Sequence, residues 1–122
     1  MVKDKETNIQ EIKDKIQKFC EARDWDQFHG AKDLAIGIIT EASEVLEHFR
    51  WKSEKEVKEL FENPHKREEV GEEMADVFFF LLRLAQRYDI DLSEAIHKKM
   101  DKNEGRYPID KFKGSNKKYN EV

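Results

Sequence analysis

The chain offers little from which a disulfide scaffold, a β-sandwich or a membrane anchor could be built. Its 122 residues include one cysteine, Cys20, so no disulfide can close within it. Two prolines and five glycines are too few for the many tight turns of a sandwich. No apolar run approaches the roughly 20 residues of a spanning helix, and the opening stretch from Met1 to Asn8 has no apolar signal core. A cytoplasmic location without a membrane partner is therefore expected. Positive charge is not in excess: the formal net charge of −4 gives no general pull toward a nucleic-acid polymer or an anionic bilayer.

What is abundant is charge. Charged residues make up 41% and hydrophobic ones 38%, the balance of one helical domain with a modest core. Ile9, Ile12, Ile16 and Phe19 recur at helical spacing and predict an amphipathic helix over about 6–22. Asp24 to Gly30 breaks the period and reads as an ordered loop. Leu34, Ile38, Ala42, Val45 and Phe49 form the seam of a second helix, with Asp33 as its expected N-cap. Ser53-Glu-Lys-Glu56 is a capping box opening a short helix that stops before Asn63-Pro64.

A long helix is expected over about 66–88. Its centre, Val77 to Leu82, is apolar on every face and must be surrounded. The other helices are too few to cover it, so a second subunit is expected to pack there. Asp91-Leu-Ser-Glu94 caps a helix over about 92–104, ended by Gly105 and Pro108. No internal repeat or second domain is visible. The fold class is all-α: a bundle of four main helices within residues 1–110, completed by oligomerisation, then a polar, lysine-rich tail over 111–122 that is expected to be loose.

Two short words carry chemistry, Glu41-Ala-Ser-Glu44 and Glu73-Met-Ala-Asp76. A helix turns about 100° per residue, so carboxylates three apart project from one face. Their ordinary fate is a solvated surface. Yet each word lies inside an apolar helix, where unpaired carboxylates are costly, and two such pairs on facing helices would surround a cavity with four hard oxygen donors suited to a divalent cation. Glu62-Asn-Pro-His65 and Glu94-Ala-Ile-His97 have the spacing of di-iron sites, but Pro64 breaks the first and the second stands alone. Trp25, Phe28 and Trp51 fall outside the seams; they are either plain anchors or flat walls for a planar ligand, with His29 as a polar contact. Lys99, Asn103 and Arg106 share a helix face, which is either a solvated helix end or a binder of metal-held phosphates. No Gly-rich phosphate loop, Cys-x-x-Cys pair or nucleophile–His arrangement is present.

Taken in order, Arg23-Asp-Trp-Asp-Gln-Phe-His29, Glu41-Ala-Ser-Glu44, Trp51, Glu73-Met-Ala-Asp76 and Lys99-Met-Asp-Lys-Asn103-Glu-Gly-Arg106-Tyr-Pro108 resemble the MazG-like nucleoside triphosphate pyrophosphohydrolases, particularly the dCTP pyrophosphatase branch. The resemblance spans roughly residues 9–108. It implies a helical bundle assembled as a dimer or a dimer of dimers. It also implies Mg²⁺-dependent cleavage of a nucleoside triphosphate to the monophosphate and pyrophosphate, with Mn²⁺ as a substitute ion, in clearance of unwanted nucleotides. Carried over by motif, Glu41, Glu44, Glu73 and Asp76 would bind the ion, with Glu44 the candidate for orienting the attacking water. Lys99, Asn103 and Arg106 would contact phosphates, Lys99 and Arg106 stabilising the leaving group. Trp25 and Trp51 would enclose the base, with His29, Phe80 and Tyr107 beside it. The chain departs from that branch twice: Ala31-Lys-Asp-Leu34 stands for the branch's Pro-Arg-Asn-Leu, and Phe80 stands where a Tyr is frequent, which implies altered base choice. The opposing expectation is a non-enzymatic helical module that binds a protein partner through Phe78-Phe79-Phe80.

Overall fold

In the computed structural model, which describes residues 2–121, every regular element is helical. Met1 and Val122, the outer limits of the expected domain and tail, lie outside the described residues. Helix α1 runs Ile9–Ala22, and its N-cap Asn8 accepts a bond from the Glu11 amide at 2.9 Å. It starts later than expected because Asp4–Glu6 forms a separate 3-10 turn. At its other end the Trp25 amide donates to the Cys20 carbonyl and the Asp24 amide to that of Glu21, both at 3.0 Å. This Schellman closure needs a left-handed residue, and Asp24 supplies it at φ 53°.

Helix α2, Ala31–Glu47, begins before Asp33, which therefore lies in its first turn rather than at the N-cap. Gly30 holds the cap position and brings no side chain. The Tyr88 hydroxyl accepts the bond from the Ala31 amide instead, at 2.8 Å, an arrangement that local sequence could not announce. Asp33 still favours the helix through the positive end of its dipole. Helix α3, Glu54–Glu62, opens on the expected capping box: Ser53 Oγ accepts from the Glu56 amide at 3.2 Å, and Glu56 accepts from the Ser53 amide at 3.1 Å. Helix α4, Pro64–Arg87, has Pro64 in its first turn and Asn63 as cap. Glu62 and His65 thus belong to different helices.

Helix α4 is the spine of this first compact unit, which ends at Asp89. Helix α2 packs along it most extensively, with α1 and α3 also against it. Ile16 and Cys20 from α1, Leu34 from α2, and Val70, Leu82 and Ala85 from α4 form the buried core. The approach of α2 to α4 turns on Gly37, where an added Cβ would stand 2.6 Å from the Phe80 ring. Within one chain the centre of α4 is only partly covered: Leu82 is fully buried, while Phe78 and Leu81 are exposed. Those two side chains, with Ala42, Val45, Met74 and Val77, line an open apolar groove of about 360 Å³.

The second unit starts at Ile90. Helix α5, Leu92–Arg106, is capped by Asp91, which accepts from the Glu94 amide at 2.9 Å. Gly105 falls inside its last turn rather than ending it. Helix α6, Ile109–Phe112, and a 3-10 turn at Tyr119–Glu121 follow. The Tyr107 ring meets Phe112 edge-on at 4.8 Å and Tyr119 at 6.0 Å. No helix among the described residues is long and apolar enough to cross a membrane.

Candidate metal centre and ligand-binding groups

The packing of α2 on α4 brings three of the four singled-out acids together. Glu41 from α2 and Glu73 and Asp76 from α4 each present an oxygen within 4.8 Å of the others. Glu41 and Glu73 are half-buried and Asp76 is exposed. Glu41 is held above the usual carboxylate range, first by partial loss of water and then by the charges of Asp76, Glu44 and Glu73. Glu44 is exposed and outside the converging trio, though near enough to act on Glu41. Hard oxygen donors, drawn together against their own repulsion, fit a divalent cation. His48 Nε2 lies 4.0 Å from Glu73 Oε1. It was not singled out in the sequence, yet it stands two turns after Glu41 on the same face of the chain.

A second polar cluster joins α4 to the loop before α2. Arg83 is fully buried, in the middle of the apolar stretch Leu81 to Ala85. Its Nε donates to His29 Nδ1 at 3.0 Å, and its other nitrogens donate to the Asp26 carboxylate and the Gln86 side-chain carbonyl. Arg87 Nη1 stands 3.4 Å from the second Asp26 oxygen, and Arg87 Nε donates to the His29 carbonyl at 3.4 Å. The bond from Arg83 holds Asp26 below the usual carboxylate range. Burial, then the charges of Arg83 and Arg87, push the His29 imidazole below its ordinary value. A charged residue inside an apolar helical run was the available signal for Arg83. Its partners are 54 and 57 residues away, beyond local pattern.

The structure joins Trp25 to His29, with rings 5.9 Å apart, and to Phe19 at 5.5 Å. Trp51 lies between α2 and α3, 88% exposed and left-handed at φ 66°. A bulky residue in that backbone region is uncommon and strained. The Arg50 guanidinium stands 5.0 Å from its ring. Phe28 is exposed, and Phe80 packs on Gly37 and, at 5.3 Å, on Phe79. In the second unit, Lys99 is exposed, and Asn103 and Arg106 are half-buried on α5. The Arg106 guanidinium lies 4.5 Å from the centre of the Tyr119 ring.

Comparison with known proteins places relatives beside this geometry. The MazG-like family model matches residues 36–122. Rat dCTP pyrophosphatase 1 is 36% identical over 117 residues, covering 96% of this chain and 69% of the rat protein. The human dCTP pyrophosphatase 1 is 35% identical over the same extent. Among solved structures, a pyrophosphatase from Archaeoglobus fulgidus superposes with a TM-score of 0.78 at 37% identity, over 88% of this chain and 99% of that one.

Proposed function

The chain belongs to the MazG-like family, and from that premise we propose that it hydrolyses a nucleoside triphosphate to the monophosphate and pyrophosphate, clearing unwanted nucleotides from the cytoplasmic pool. The observation that carries the reading is the convergence of Glu41, Glu73 and Asp76 from two helices onto one point. The relatives named dCTP pyrophosphatase 1 favour dCTP or a base-modified dCTP as substrate.

Glu41, Glu73 and Asp76, joined by Glu44, would hold Mg²⁺, with Mn²⁺ able to replace it. A divalent ion there supplies charge neutralisation for the triphosphate and polarisation of its phosphorus. The chain's own side chains do the rest. Glu44, exposed and one turn from Glu41, orients the attacking water and takes its proton. By the motif alone, Lys99 and Arg106 on α5 are the candidates for donating to phosphate oxygens on which charge grows as the bond to pyrophosphate breaks, with Asn103 as a neutral donor. Trp25 and Trp51 are assigned to the flat faces of the base, with His29 as a polar contact; Tyr107 is a candidate contact by the motif alone. Phe80 offers no hydroxyl, so base choice on that side rests on shape. The groove lined by Phe78 and Leu81 is assigned to a second copy of the chain.

The direct test incubates the protein with Mg²⁺ and a panel of dNTPs, including 5-substituted dCTP, and identifies both products. Monophosphate and pyrophosphate, formed fastest from a cytosine nucleotide, are expected. Diphosphate and inorganic phosphate would refute the reaction. No turnover of any nucleotide would favour a helical module that binds protein through Phe78.

A further inference from the structure

Of the cluster of Asp26, His29 and Arg83, only His29 has a role above, as a contact to the base. We infer that Arg83 is a positioning residue that locks His29 as a neutral imidazole protonated on Nε2, so that His29 offers the nucleotide one hydrogen-bond donor and never a cation. The inference rests on the reading of His29 as a nucleotide contact and specifies what that contact can recognise.

The geometry leaves one tautomer. A guanidinium N–H can only donate, so at 3.0 Å from Arg83 Nε the His29 Nδ1 must accept. The single proton of the neutral ring is then on Nε2. Arg83 cannot swing away without cost, because it is fully buried and its remaining nitrogens are committed to Asp26 and Gln86. A second proton on His29 would set two N–H groups against each other. It would also add a positive charge beside Arg83 and Arg87 from α4, opposed by Asp26 from the loop and Asp33 from α2. Burial and the two arginines prevail, in the direction that keeps the ring neutral.

The other edge of the ring is open. Nε2 has no hydrogen-bond partner among the described residues, and no part-buried side chain leaves a polar atom sealed from water without one. The free donor thus faces solvent, where a ligand acceptor can replace water. The phosphate donors are assigned to α5, whereas Trp25, assigned to the base, has its ring 5.9 Å from that of His29, so the acceptor this fixed neutral donor suits is a lone pair on the edge of the base, a ring nitrogen or a carbonyl. A base that carries N–H at that place would face donor against donor and be refused. The His29 share of nucleotide affinity, read as the ratio of wild type to His29→Phe, should also be flat across the pH range near 6.5 in which a free imidazole titrates.

Imidazole ¹⁵N spectra of the intact labelled protein test this directly, with His29 assigned by its loss in His29→Phe. The neutral Nε2–H form is expected at neutral pH, with protonation displaced below that of a free imidazole. An Nδ1–H form, or ordinary titration, would overturn the inference. In Arg83→Gln the KM for the nucleotide should rise about five- to tenfold, the worth of one neutral hydrogen bond, and become pH-dependent as the ring titrates. A merely structural arginine would lower the melting temperature and leave KM flat with pH, which would overturn it too. Asp26→Asn, which keeps the shape of the cluster and removes a charge that favours imidazolium, should keep the Nε2–H form, and a ring that titrates normally in it would overturn the inference even if Arg83→Gln does not fold. If His29→Phe binds nucleotide unchanged while the wild-type ring is Nε2–H, the contact reading is lost and the inference with it. The wrong tautomer would sink the inference alone.

Discussion

Glu41 carries a tension between stability and function. Folding brings it beside Asp76 and Glu73 and raises its proton affinity above that of the unfolded chain. The sign follows: the folded state holds this proton to higher pH, so its presence costs nothing well below the ordinary carboxylate value and destabilises once the pH exceeds the raised one. Without a cation, Glu41→Gln should therefore melt higher than wild type at pH 7 in a chelator. A lower melting temperature would show that the acids are not crowded. The same variant, and Asp76→Asn, should lose about 10² or more in turnover, as when a charge stabiliser is removed. The acids were legible because each word fits within one helical turn and its apolar setting is visible locally. Arg83 was not, since Asp26 and His29 lie more than fifty residues away and only the fold joins them.

At the scale of elements, capping residues announced α3 and α5 correctly, through Ser53 and Asp91, because those side chains bond within three residues. Helix α2 escaped that logic. Its first amide is satisfied by Tyr88, at the far end of α4, so the cap that local sequence offers, Asp33, goes unused. Gly37 was likewise silent in sequence. In Gly37→Ala the helix gains up to about 1 kcal/mol of propensity, but the new methyl meets the Phe80 ring, and overpacking typically costs about 1–3 kcal/mol. A net fall in melting temperature is expected, recovered when Phe80→Leu is added; a rise in the single variant would show that α4 yields freely. The tail offers a separate test. Tyr119 stacks on Arg106, so Tyr119→Ala should raise the KM for nucleotide while the far-ultraviolet spectrum changes little. Unaltered KM would mean that Arg106 needs no platform.

For the whole molecule, the periodicity of apolar residues was enough for an all-helical fold, because seams at helical spacing specify which faces are buried. Coverage of α4 could be read only as a deficit: too much apolar surface for too few helices. The exposed Phe78 and Leu81 on the groove are that deficit in the folded chain. If a second copy covers it, light scattering should give at least a dimer for wild type and a smaller species for Phe78→Glu. A wild-type monomer at micromolar concentration would refute the assignment.

The claim on which the function rests is that the acids of α2 and α4 hold one divalent ion between them. Anomalous diffraction from crystals soaked in Mn²⁺ tests it most directly. A peak flanked by Glu41, Glu73 and Asp76, absent in Glu41→Gln, is expected. Active crystals with no manganese between those carboxylates would contradict it.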